Sequence, residues 1–151
     1  MEKGKSSSAA LRTVGDGRCD AKRSAIFPQI IRYWMPVVGY CLLIFFQSAY
    51  PAFSHTPNVP YFDKIAHGCI YAVLGFLCYR ALRTLPGADR TVTIFFFSTL
   101  LATLYGVSDE IHQMFVVSRS AEFLDAIADL IGSIFGAAAA WGWYESVMRE
   151  A

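Results

Sequence analysis

Residues 123–144 read FLDAIADLIGSIFGAAAAWGWY: apolar throughout, except for two aspartates near the start and Ser133. Ala128, Gly132, Gly136 and Ala140 repeat at four-residue spacing. On a helix they form one small-residue row that lets another helix approach closely. No period-two alternation competes with the helical reading. Working outward, three more apolar runs cover 33–50, 65–82 and 91–108, the last continuing in helical register to about 112. Each has 18 residues or more. As helix, that is about 27 Å or longer, close to the roughly 30 Å of a bilayer's hydrocarbon core. A soluble bundle needs a polar stripe on every helix, and the run at 33–50 has almost none. The sequence therefore predicts an all-α, four-span transmembrane bundle over 31–148, with spans near 33–50, 65–82, 91–112 and 123–144.

Composition supports this. Of 151 residues, 55% are hydrophobic and 17% charged, with mean hydropathy +0.39. A net charge of +1 gives no field for nucleic acid, which is excluded as a partner. Among Cys19, Cys41, Cys69 and Cys78 there is no CxxC pair or finger spacing. Residues 1–30 are rich in Ser, Gly and charge and read as a disordered tail. Seven cations (Lys3, Lys5, Arg12, Arg18, Lys22, Arg23, Arg32) precede the first span, and Arg80, Arg83 and Arg90 follow the second. The segment 51–63 has no cation and 110–122 only Arg119. The positive-inside bias thus puts both termini in the cytoplasm, in a multi-pass protein of the cytoplasmic membrane. Tyr33 and Trp34 join Trp141, Trp143 and Tyr144 as an aromatic belt at that interface. The first span is expected to be an uncleaved anchor, with Pro36 in its first turn. Pro51, Pro57 and Pro60 are expected to stiffen the outer loop.

The acids gather at the other end. Asp63, Asp109, Glu110, Glu122, Asp125 and Asp129 all fall at or near the outer ends of spans two, three and four, with His67 and His112. At 100° per residue, Asp63, His67 and Tyr71 lie within about 80° of one another. Tyr105, Asp109, His112 and Gln113 share a face about 100° wide, and Asp125, Asp129, Gly132 and Gly136 one about 60° wide. Asp129 sits about two turns into the membrane, where a lone carboxylate costs at least ~2.5–3.5 kcal/mol. It needs a proton of its own or a partner, and by level the candidate partners are His67, His112 and Arg119.

Three motifs in order carry a resemblance. They are Asp63-Lys64-x-x-His67-x-x-x-Tyr71-x-x-Leu74-Gly75, then Asp109-Glu110-x-x-Gln113-x-Phe115, then Arg119-Ser120 followed by Asp125, Asp129, Gly132 and Gly136. Together with Gln47-Ser48 at the end of span one, the pattern resembles the VanZ-like family over roughly 33–145. The resemblance implies a small bacterial integral membrane protein with four spans. The family's namesake is associated with resistance to teicoplanin-type glycopeptide antibiotics. This chain departs from the pattern in two places. Asp129 stands where Asn is common, and Val116-Val117-Ser118 precedes Arg119 where Pro-Gly is usual.

Three classes of activity fit these residues. One is recognition, without chemistry, of an anionic or lipid-linked envelope ligand such as a cell-wall precursor. Asp63, Glu110, Gln113, Arg119 and Asp129 would line that site. Another is a hydrolase or transferase on a lipid headgroup, with His67, Asp109, His112 and Asp125 as candidate catalytic groups and a divalent metal as candidate cofactor. The last is a small proton-coupled transporter, which would need a homo-oligomer formed through the Gly132/Gly136 row. Membrane lipids are partners in all three.

Overall fold

The computed structural model describes residues 31–49, 61–85, 91–116 and 122–150. Within them the chain is helical: α1 (31–49), α2 (Phe62–Leu82), α3 (Thr91–Gln113) and α4 (Phe123–Glu150). The last three are long and apolar enough to cross a bilayer. The tail at 1–30, the proline loop at 51–60, Cys19 and Arg119 lie outside the described residues.

The helices run up, down, up and down. Lys64 and His67 of α2 meet Asp125 and Asp129 of α4 at one end, where Glu110 of α3 also accepts the backbone N–H of Glu122. At the opposite end the Arg80 guanidinium lies 4.9 Å over the Tyr33 ring and Arg83 lies 4.5 Å over Tyr144. Phe95 and Trp141 also meet edge-on. The expected aromatic and basic residues therefore share one end and the acids the other.

Burial is inverted relative to a soluble bundle. Phe46, Phe96, Phe97, Phe123 and Phe135 are exposed, whereas Ser48, Ser98, Asp109, Glu110, Gln113, Asp125, Asp129 and Ser133 are buried. In lipid, apolar side chains lose nothing by facing out, and polar ones seek partners inside. Ser98 and Ser133 find them on their own helices, donating to the carbonyls of Phe95 and Asp129. Val37 and Ile44 of α1 pack on Tyr71, Leu74, Cys78 and Ala81 of α2 and on Ala102 of α3. Two hydroxyls fasten the same seam: Tyr40 donates to the Ile70 carbonyl at 3.2 Å and Tyr105 to that of Cys41 at 2.6 Å.

Helices α2 and α4 touch backbone to backbone. A Cβ on Gly132 would overlap the Gly68 carbonyl, one on Gly136 the Ala72 carbonyl, and one on Gly75 the backbone of Ser133. The Gly132/Gly136 row thus packs as expected, but against α2 of the same chain. Gly132 and Gly136 are buried in that contact.

The helix ends also differ from expectation. Pro36 lies beyond the first turn, since the helix already includes residue 31; its missing N–H leaves the Arg32 carbonyl without the usual helical donor. Helix α2 starts at Phe62, and α4 continues through Glu145 and Ser146 past the apolar run. There the Ser146 hydroxyl bonds back to Gly142 and Trp143.

Candidate functional site

Lys64 is the hub of the rim. Its ammonium lies 2.7 Å from Asp63 Oδ2, 2.5 Å from Glu122 Oε2 and 2.7 Å from Asp125 Oδ1. Asp63 and Glu122 are about half exposed, while Asp125 is buried. Exposed pairs contribute little, so the pair that matters is Lys64–Asp125, which pins the start of α2 to the first turn of α4. Asp63, Glu122 and Asp125 lie close enough together to suggest a cation site. The cation there is the lysine itself.

One turn deeper, His67 Nδ1–H donates to Asp129 Oδ1 at 3.1 Å and lies 3.8 Å from Glu110 Oε1. Asp129 is 1% exposed and Glu110 7%. Glu110 Oε2 accepts the Glu122 N–H, tying α3 to the start of α4. Asp129 Oδ2 and Glu110 Oε1 are buried without hydrogen-bond partners. Asp129 fits because α3 carries Gly106 opposite it: a Cβ there would come within 2.6 Å of Oδ2.

Beside His67 opens a small cleft with about 30 Å³ of enclosed space, lined by Ile44, Gln47, Ser48, Ile70, Tyr71, Asp109 and Gln113. The His67 and Tyr71 rings stack, with centroids 6.4 Å apart. Gln113 Nε2 donates to Asp109 Oδ2 at 2.9 Å, so this pair is preset by its one-turn spacing on α3. The Ser48 and Tyr71 hydroxyls, 2% and 1% exposed, have no partner among the described residues.

The structure thus brings together His67, Asp109, Glu110, Gln113, Asp125 and Asp129, with Asp63 on the rim. His112 goes elsewhere: its ring stacks on Phe45 of α1 at 4.7 Å, and its Nε2 is buried without a partner. It shares a helix face with Asp109 and Gln113 but meets a different neighbour.

A family model described as VanZ/LLP1 matches residues 22–144, which take in α1 to α3, most of α4 and all three motifs. The chain belongs to the VanZ/LLP1 family. No characterised protein and no solved structure matches it. Within this VanZ/LLP1 chain, three features of the site escaped the sequence reading. Lys64 was legible only as part of a motif, because a lysine beside an aspartate at a helix start reads as solvated. Gly106 sits alone in an apolar run. The α2 surface that receives α4, namely Gly68, Ala72 and Gly75, does have a sequence signal: small residues at three- and four-residue spacing.

Proposed function

We propose that this VanZ/LLP1 protein recognises the polar head of a lipid-linked envelope ligand, such as a cell-wall precursor, in the cleft beside His67. The observation that carries this reading is the pair of buried, unpartnered hydroxyls on Ser48 and Tyr71. They come from different helices and line the same cleft as His67, Asp109 and Gln113. Buried polar groups are normally satisfied, so two free donors among preset acceptors suit a ligand rich in hydroxyl and amide groups. The enclosed space is about 30 Å³, room for roughly one water-sized group and far below the roughly 300–1,000 Å³ of full ligand pockets. It therefore takes a single polar group of the headgroup, leaving the rest of the ligand outside at the acidic end and among the apolar faces.

The acidic end faces the cell exterior in this reading, with both termini in the cytoplasm and the protein in the cytoplasmic membrane. A role in glycopeptide resistance belongs to the same proposal, since such antibiotics act on lipid-linked wall precursors. The test is retention of a labelled polyprenyl-diphosphate saccharide by detergent-purified protein, with phosphatidylglycerol as competitor. Ser48→Ala and Tyr71→Phe are each expected to weaken retention roughly 2- to 10-fold, one hydrogen bond apiece. Undiminished retention by both variants, or none by the wild type, defeats the proposal.

A second reading, hydrolysis or transfer on the headgroup, is favoured by the His67–Asp129 hydrogen bond, which orients the imidazole as in a general base. Conversion of the bound saccharide lipid, lost in His67→Gln, is the outcome that distinguishes it.

A further inference from the structure

We infer that His67, Glu110 and Asp129 form a binding site for one divalent transition-metal ion. This rests in part on the reading of the cleft as a headgroup site, since the metal would supply the positive charge that an anionic headgroup needs there.

Charge is the first argument. The acidic end gathers Asp63, Asp109, Glu110, Glu122, Asp125 and Asp129 around Lys64 and His67. Lys64 is already engaged by Asp63, Glu122 and Asp125. Gln113 is a neutral partner for Asp109. Glu110 and Asp129, both more than nine-tenths buried, are left facing one imidazole. Two carboxylates so enclosed are costly without a cation. A divalent ion balances them one for one.

Geometry is the second. One ligand atom from each of the three residues lies within 4.8 Å of the other two. The measured separations of 3.1 Å and 3.8 Å from Nδ1 to the two carboxylates bracket the roughly 3.4 Å between ligands of a tetrahedral ion with bonds of about 2.1 Å. Independently of clustering, Glu110 Oε1 is buried, faces Nδ1 and has no hydrogen-bond partner among the described residues, as is true of Asp129 Oδ2. Three helices hold the three groups, and the α2–α4 backbone contact fixes two of them rigidly.

An imidazole with two carboxylates selects ions such as Zn²⁺ or Mn²⁺ over Mg²⁺ and Ca²⁺. Coordination through Nδ1 replaces its bond to Asp129, and the ring stays neutral by carrying its single proton on Nε2 instead. Three protein ligands leave one position of a tetrahedral ion open, and a phosphate oxygen of the headgroup fits that vacancy.

The test uses full-length protein in detergent, stripped with EDTA and dialysed against Zn²⁺. One ion per chain is expected, with affinity lowered at least about 10-fold in His67→Ala, Glu110→Gln and Asp129→Asn. Glu145→Gln, beside Trp141 at the opposite end of the bundle, should match the wild type. Co²⁺ added to the wild type should give the visible absorption of a tetrahedral site, a readout independent of variant folding. Substoichiometric Zn²⁺ in the wild type, or full retention by all three site variants, overturns the inference. Saccharide-lipid retention measured in EDTA separates the two readings. Retention without metal keeps the cleft and removes the ion's role in it, whereas Zn²⁺ binding without retention keeps the ion and removes the headgroup.

Discussion

His67 on α2 and Asp129 on α4, 62 positions apart in the chain, share a 3.1 Å hydrogen bond one turn below the Lys64–Asp125 ion pair. Both links join the same two helices, and both lie beside glycines that bring the backbones into contact. The polar groups of the site are therefore registered by packing as well as by charge.

Removing the lysine hub should expose that dependence. Lys64→Met leaves Asp125 buried and unpaired, at a cost of about 3 kcal/mol, the low end for a broken buried pair because Lys64 is 15% exposed. Adding Asp125→Asn should recover more than half of the loss. Denaturant titration in detergent measures both, and strictly additive effects would contradict the pairing.

The small-residue row gives a steric prediction. Gly136→Ala drives a Cβ into the Ala72 carbonyl, and overpacking of this kind costs about 1–3 kcal/mol. Gly142→Ala meets nothing within 4 Å and should be neutral or stabilising, by up to about 1 kcal/mol of helix propensity. A thermal melt of the two variants side by side decides it.

Gly106 is predicted to act through Asp129. In Gly106→Ala the new methyl lies 2.6 Å from Oδ2 and 3.0 Å from the Asp129 Cβ, so the carboxylate must move away from His67. The nitrogen NMR signature of the hydrogen-bonded His67 ring should be lost even if the bundle stays folded. An unchanged ring signal would show that Asp129 does not feel position 106.

Across the α1–α3 seam, Tyr105→Phe removes a 2.6 Å hydrogen bond to the Cys41 carbonyl. The expected loss is about 0.6–1.5 kcal/mol, read from the same denaturant titration. A loss above that range would mean the ring's packing, rather than its hydroxyl, holds α1.

The spans, the gathering of acids at one end and the packing role of Gly132 and Gly136 were all legible from hydropathy and helical spacing. Assignment to partners was not. A helical wheel gives each side chain an angle but does not say which helix lies in that direction. Asp109 and Glu110 are adjacent in sequence and about 100° apart, so one joins Gln113 and the cleft while the other ties down α4. His112 shares the Asp109 face yet ends against Phe45, because α1 occupies that side. Lys64 needed three acids from two segments to reveal its role.

The carbonyl-against-glycine seam between α2 and α4 has a mechanical consequence. Neither helix can slide or roll past the other without a steric collision, so the pair behaves as a fixed keel. Motion that would admit the proposed headgroup sideways from the bilayer therefore falls to the α1 edge, held to the keel by a few apolar side chains, the Tyr40 hydroxyl and the Arg80–Tyr33 contact, and to α3 by the Tyr105 hydroxyl.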